Sequence, residues 1–149
     1  MITKNEISGI GIEVESEGVS RFMILVTADG NIKRMGSGKM MDTKGDLYVG
    51  RVDASVFQKI MEHVDESVLE FIGKKINLPN SQGIPCKLTI SYKVGEMFHQ
   101  TLITYGHQSG YPAEIAVIVK TVFEETQPWY EQMSKTVQAK KKRFWLFGT

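Results

Sequence analysis

The chain has 149 residues, 42% of them hydrophobic and 23% charged, a balance that fits a single globular domain and excludes wholesale disorder or membrane insertion. Its formal net charge of +1 excludes a molecule-wide electrostatic grip on nucleic acid, so any such contact must be local. One cysteine, Cys86, excludes an intramolecular disulfide and a cysteine-rich metal cluster.

Met1 to Ser8 is polar and leads into no long apolar run, so neither a signal peptide nor a membrane span is expected, and the expected compartment is the cytoplasm. Ile10, Ile12 and Val14 then alternate with Gly9, Gly11, Glu13 and Glu15, the period of a half-buried strand. Glu13, Glu15 and Glu17 would share its outer face, as a solvated or edge-protecting row rather than a cation site. Gly18 marks a turn. The denser run Ser20 to Ala28 is apolar on both sides and suits a central strand.

Asp29-Gly30 is a strong hairpin signal, and Asn31 to Met40 should return antiparallel, with Gly36 and Gly38 weakening its far end. Gly36-Ser37-Gly38-Lys39 has the look of a phosphate-binding loop. It fails the spacing: Lys33 stands where the first glycine is needed, and Met40 where serine or threonine is needed. After a polar turn at Asp42 to Asp46, Leu47 to Val52 predicts a fourth strand.

Asp53 or Ser55 should cap a helix, Ser55 and Gln58 having capping-box spacing. Phe57, Ile60, Met61, Val64, Val68, Phe71 and Ile72 recur at helical spacing, predicting one helix to Lys75 with His63 off its apolar stripe. Asn77 to Gly83 is a loop by composition.

Pro85 to Gly106 predicts a complete hairpin with Gly95-Glu96 as a two-residue II′ turn. That turn sets Val94 opposite Met97, Tyr92 opposite His99, Ile90 opposite Thr101, Leu88 opposite Ile103 and Cys86 opposite Tyr105, with that face buried. Cys86 is then an inert buried thiol. Pro112 and Glu114 suit the start of a second helix. Its stripe runs from Ile115 through Ile118, Val119, Val122, Phe123, Trp129, Tyr130 and Met133 to Val137, with a kink or break at Pro128.

These elements predict an α+β domain over residues 1–137: an antiparallel sheet of about six strands (β-β-β-β-α-β-β-α) with two helices packed on one face. Residues 138–149 form a basic, aromatic tail. There Lys140, Lys141, Lys142 and Arg143 run into Phe144, Trp145, Leu146 and Phe147, a combination suited to a protein groove, an anionic membrane surface or nucleic acid. Gln138 followed by Phe144-Trp145 resembles the peptides that dock on sliding clamps, but Lys141 occupies the place of their aliphatic anchor.

Tyr92, His99, Tyr105 and His107 make the alternative constellation, a ligand pocket or small enzyme site with histidine as base and tyrosine as acid. No carboxylate is placed to orient either imidazole, and the histidine pair lacks the ligand count for zinc. No cofactor and no metal are expected.

Ala28-Asp29-Gly30-Asn31-Ile32, Gly36, Gly50-Arg51-Val52, Phe57, the hairpin, Tyr105-Gly106 and Pro112-Ala113-Glu114 together resemble a family of small bacterial domains of unknown function, common in envelope lipoproteins. The similarity covers about residues 20–125 and implies the fold; it supplies no catalytic residue. The chain departs from that family in its basic, aromatic tail. The functional expectation is a non-enzymatic module that binds a macromolecule, foremost a protein, as an immunity, inhibitor or adaptor protein would, with homo-oligomerisation through a sheet edge also open.

Overall fold

The computed structural model describes residues 1–37, 45–79 and 81–147, the side chains of 144–147 excepted. A 3-10 turn at Lys4–Glu6 leads into β1 (Ile7–Ser16), β2 (Val19–Thr27), β3 (Asn31–Met35) and β4 (Leu47–Arg51). Then come α1 (Ala54–Glu62), α2 (Glu66–Leu69), β5 (Lys75–Asn77), β6 (Pro85–Val94), β7 (Met97–Gly106) and α3 (Ala113–Phe147). The strands form one sheet in the order β4-β3-β2-β1-β6-β7-β5, antiparallel except where β5 runs parallel to β7.

The α+β class with a mostly antiparallel sheet is as expected; among the described residues the sheet has seven strands rather than about six, and there are three α-helices rather than two. In the β6–β7 hairpin every predicted pair is present, from Val94 opposite Met97 to Cys86 opposite Tyr105. Gly95 has φ +62° and Glu96 keeps an ordinary φ, the combination of a II′ turn. Alternation then decides which side is buried. Ile10, Ile12, Ile24, Val26, Leu88 and Ile90 are sealed in one core with Phe57 and Ile60 of α1 and Ile115, Ile118 and Val122 of α3. The same helices leave the opposite face of the sheet bare.

Three local expectations are corrected. The single helix predicted to Lys75 ends at Glu62, because Asp65 takes an extended conformation (φ −78°, ψ 152°) and the chain restarts as the short α2. The α1 N-cap is Asp53, whose carboxylate accepts from the Ser55 N–H at 2.9 Å. The chain then reaches the sheet edge as β5, three residues whose partner strand lies far along the sequence, so no local period announces them. Glu17 does not join the outer row of β1: it stands in the β1–β2 turn at φ +54°, beside Gly18 at φ +74°.

α3 continues unbroken through Pro128 to Phe147, so residues 138–147 of the basic, aromatic tail are helical. Pro128 and Glu124 are both exposed, so the carbonyl deprived of its partner by proline faces water rather than core. Gly9 and Gly11 lie mid-sheet, because β1 is flanked by β2 and β6, so they offer no edge for self-pairing. Gly38 and Lys39 of the loop-like tetrad, the following Met40 and most of the turn at Asp42 to Asp46 lie outside the described residues.

Candidate functional site

The uncovered sheet face follows directly from the register. One cross-strand row reads Leu47, Met35, Met23, Glu13, Thr89, Leu102 and Lys75; the next reads Val49, Lys33, Leu25, Gly11, Ser91 and Gln100. Gly9 and Gly11 leave β1 bare beside Glu13. Leu25 leans over that bare backbone, its Cδ1 only 3.3 Å from where a Gly11 methyl would stand. Alongside opens a shallow cavity of about 430 Å³ walled by Met23 and Leu25 on one side and Phe98 and Leu102 on the other. Phe98 on the cavity wall is 48% exposed, and Val49, far across the same face on β4, 58%.

Charge on this face is uneven. Arg51, Lys33, Lys93, Lys87 and Lys75 outnumber Glu13 and Glu15. Lys87 pairs with Glu15 at 3.3 Å. Partial burial lifts Glu13 above its ordinary value, and hydrogen bonding and repulsion from Glu15 push the same way, against the pull of Lys87.

The four residues of the alternative pocket are not brought together. Tyr92 and His99 face each other near the turn end of the hairpin, six strand residues, or roughly 20 Å, from Tyr105. Tyr92 is wholly buried and its hydroxyl has no hydrogen-bond partner among the described residues. Burial alone raises its pKa, so it stays a neutral phenol.

At the other end, Tyr105 and His107 do share a cavity, of about 270 Å³, with Arg21, Tyr111, Val14 and Phe22. Tyr105 and Tyr111 meet edge to face with centroids 4.9 Å apart. The Arg21 Nε donates to Ser16 Oγ at 2.7 Å. The Ile84 N–H donates to His107 Nδ1 at 2.7 Å, so the ring proton sits on Nε2. Cys86 is 4% exposed, and burial pushes its thiol up, away from the reactive thiolate.

Arg21 and Tyr111 were not legible as site residues. Arg21 reads as one more polar position in a strand, and Tyr111 as a loop residue before a helix. Only the antiparallel return of β7 sets both beside Tyr105.

Lys140, Lys141, Lys142 and Arg143 occupy the last turns of α3 and are exposed. Lys141 reaches Asp46 at 3.7 Å, an ion pair open to water on both sides. The side chains of Phe144, Trp145, Leu146 and Phe147 lie outside the described residues. Among the described residues no helix is long and apolar enough to cross a membrane, and no group of three His, Cys, Asp or Glu residues is arranged to hold a metal ion.

No family model matches the chain, and no curated protein matches it.

Proposed function

We propose that this chain is a non-enzymatic protein-binding module, of the immunity, inhibitor or adaptor kind, acting in the cytoplasm, and that the helix-free sheet face is its docking surface. The observation that carries this reading is the pair of apolar walls, Met23 with Leu25 on β2 and Phe98 with Leu102 on β7, standing on either side of β1 and β6, where Gly11, Thr89 and Ser91 keep the floor between them low. Such a trough suits one amphipathic element of a partner, laid apolar side down. The excess of lysine and arginine on the same strands selects an acidic flank, which would steer approach more than it adds affinity. The basic end of α3 extends the same preference for acidic surfaces. The resemblance to the small bacterial domain family belongs to this reading, since its shared positions are mainly turn and core residues.

Photo-crosslinking in the native host tests it. Benzoylphenylalanine placed at Phe98 should yield a discrete adduct with one protein, lost when Leu25→Glu is added. The same probe at Gln58, exposed on α1, should not yield that adduct. Identical adducts from both positions, or none from position 98, would remove the docking face.

A further inference from the structure

We infer that the cavity between the β1–β2 end of the sheet and the start of α3 is a binding site for a small carboxylate with an apolar body. The site is independent of the bare sheet face, because Tyr105 and Phe22 line it from the helix-covered side. Its head-group donor is Arg21. The Nε to Ser16 hydrogen bond fixes the guanidinium plane, while its two terminal amino groups have no partner among the described residues. An oriented guanidinium fork matches a carboxylate in two parallel hydrogen bonds.

Among the described residues no acidic side chain lines the cavity to satisfy that fork: Glu15 is engaged by Lys87, and Glu15 and Glu17 line a neighbouring cavity of about 440 Å³ instead. The remaining polar groups can also donate. His107 presents Nε2–H, its Nδ1 being taken by the Ile84 amide. A methyl group at Gly83 would run into the imidazole, so the loop holds that ring in place by close approach. Burial raises the pKa of both Tyr105 and Tyr111 and keeps their hydroxyls protonated; that of Tyr105 is hydrogen-bonded with the Cys86 thiol, which leaves the Tyr111 hydroxyl as the donor.

The walls set the rest of the ligand. Val14, Phe22 and the two tyrosine rings are apolar, and Arg21 is the one arginine or lysine among the described lining residues, which favours a monoanion with a hydrocarbon body over a compact dianion. A volume of about 270 Å³ lies just below the usual small-molecule range, so the ligand is of benzoate or hexanoate size.

The test is a titration of the full-length ¹⁵N-labelled protein with benzoate, hexanoate, the uncharged benzyl alcohol and inorganic phosphate. Benzoate or hexanoate should saturate, with shifts concentrated at the amides of residues 105–111 and at the Arg21 Nε–H. Benzyl alcohol and Arg21→Gln should each weaken binding by at least about tenfold, the loss expected for a charge-assisted pair. Arg21→Lys, which keeps the charge and loses the fork, should fall between, and it decides the matter if the glutamine variant fails to fold. The assignment is overturned by no saturation below about 50 mM, by benzyl alcohol binding as well as benzoate, or by unchanged affinity in the folded Arg21 variants. Phosphate binding more tightly than benzoate at the same amides would overturn it too.

Discussion

Glu17 is the residue at which backbone preference and sequence disagree most plainly. It holds φ +54° in a two-residue turn with Gly18, a left-handed conformation that asparagine or glycine adopts at much lower cost. Glu17→Asn should therefore stabilise the protein by about 0.5–1 kcal/mol, read as a higher urea midpoint at unchanged slope. Glu13 offers a second test, through pH. Its folded pKa lies above the ordinary 4.5, so the folded state binds the proton more tightly than the unfolded chain. The stability this gives is fully present below the unfolded value and is lost as pH rises through the folded one. Glu13→Gln should thus raise the melting temperature at pH 7 and lose that advantage near pH 3. Water still reaches the carboxylate, so the gain should stay below about 1 kcal/mol.

Arg34 decides how α3 sits on the sheet. It is fully buried on β3, where its guanidinium donates to Thr126 Oγ1 at 3.0 Å and Gln127 Oε1 at 2.7 Å. The rings of Tyr130 and Phe123 lie 4.1 and 4.6 Å from its guanidinium carbon. Burial lowers its pKa to about 10, so it remains charged at neutral pH and is held by cation–π contact and amide oxygen. Nearby, Gly50 of β4 leaves room for Trp129, whose Cζ2 would stand 2.9 Å from a methyl there. Arg34→Ala should cost about 2–4 kcal/mol in chemical denaturation, by opening a cavity and stripping Thr126 and Gln127 of a donor. Arg34→Met, which refills the volume, should recover at least half of that. An alanine variant within about 0.5 kcal/mol of the parent would mean that α3 is anchored by its apolar stripe alone.

At the scale of the whole molecule, Lys140 to Arg143 in the last turns of α3 are exposed. The exposed ion pair of Lys141 with Asp46 is worth well under about 1 kcal/mol. A chain ending at Gln138 should keep its melting temperature within about 3 °C. A fall of about 10 °C would instead show that the aromatic end packs on the domain. The same truncation separates stability from binding, since the Phe98 crosslink should survive it if the sheet face is the docking surface.

Much of the sheet was legible because strand period and turn chemistry are local. Gly95-Glu96 sets the twist of a II′ turn, that turn sets the register, and register sets which side chains are buried, so Leu88 and Ile90 could be assigned to the core from their neighbours alone. The segment Lys75–Asn77 carries no such signal, because three residues cannot establish a period and its partner is Leu102 to Thr104. The continuous α3 went unread for a related reason: the change from an apolar stripe to a basic run alters what the helix faces, not whether lysine, glutamine and alanine remain helical. Alternation by itself determined the buried face and the pairing of the hairpin. The strand order, the bare face and the meeting of Arg21 with Tyr105, His107 and Tyr111 were decided only by tertiary packing, since each depends on contacts between segments whose sequences carry no record of one another.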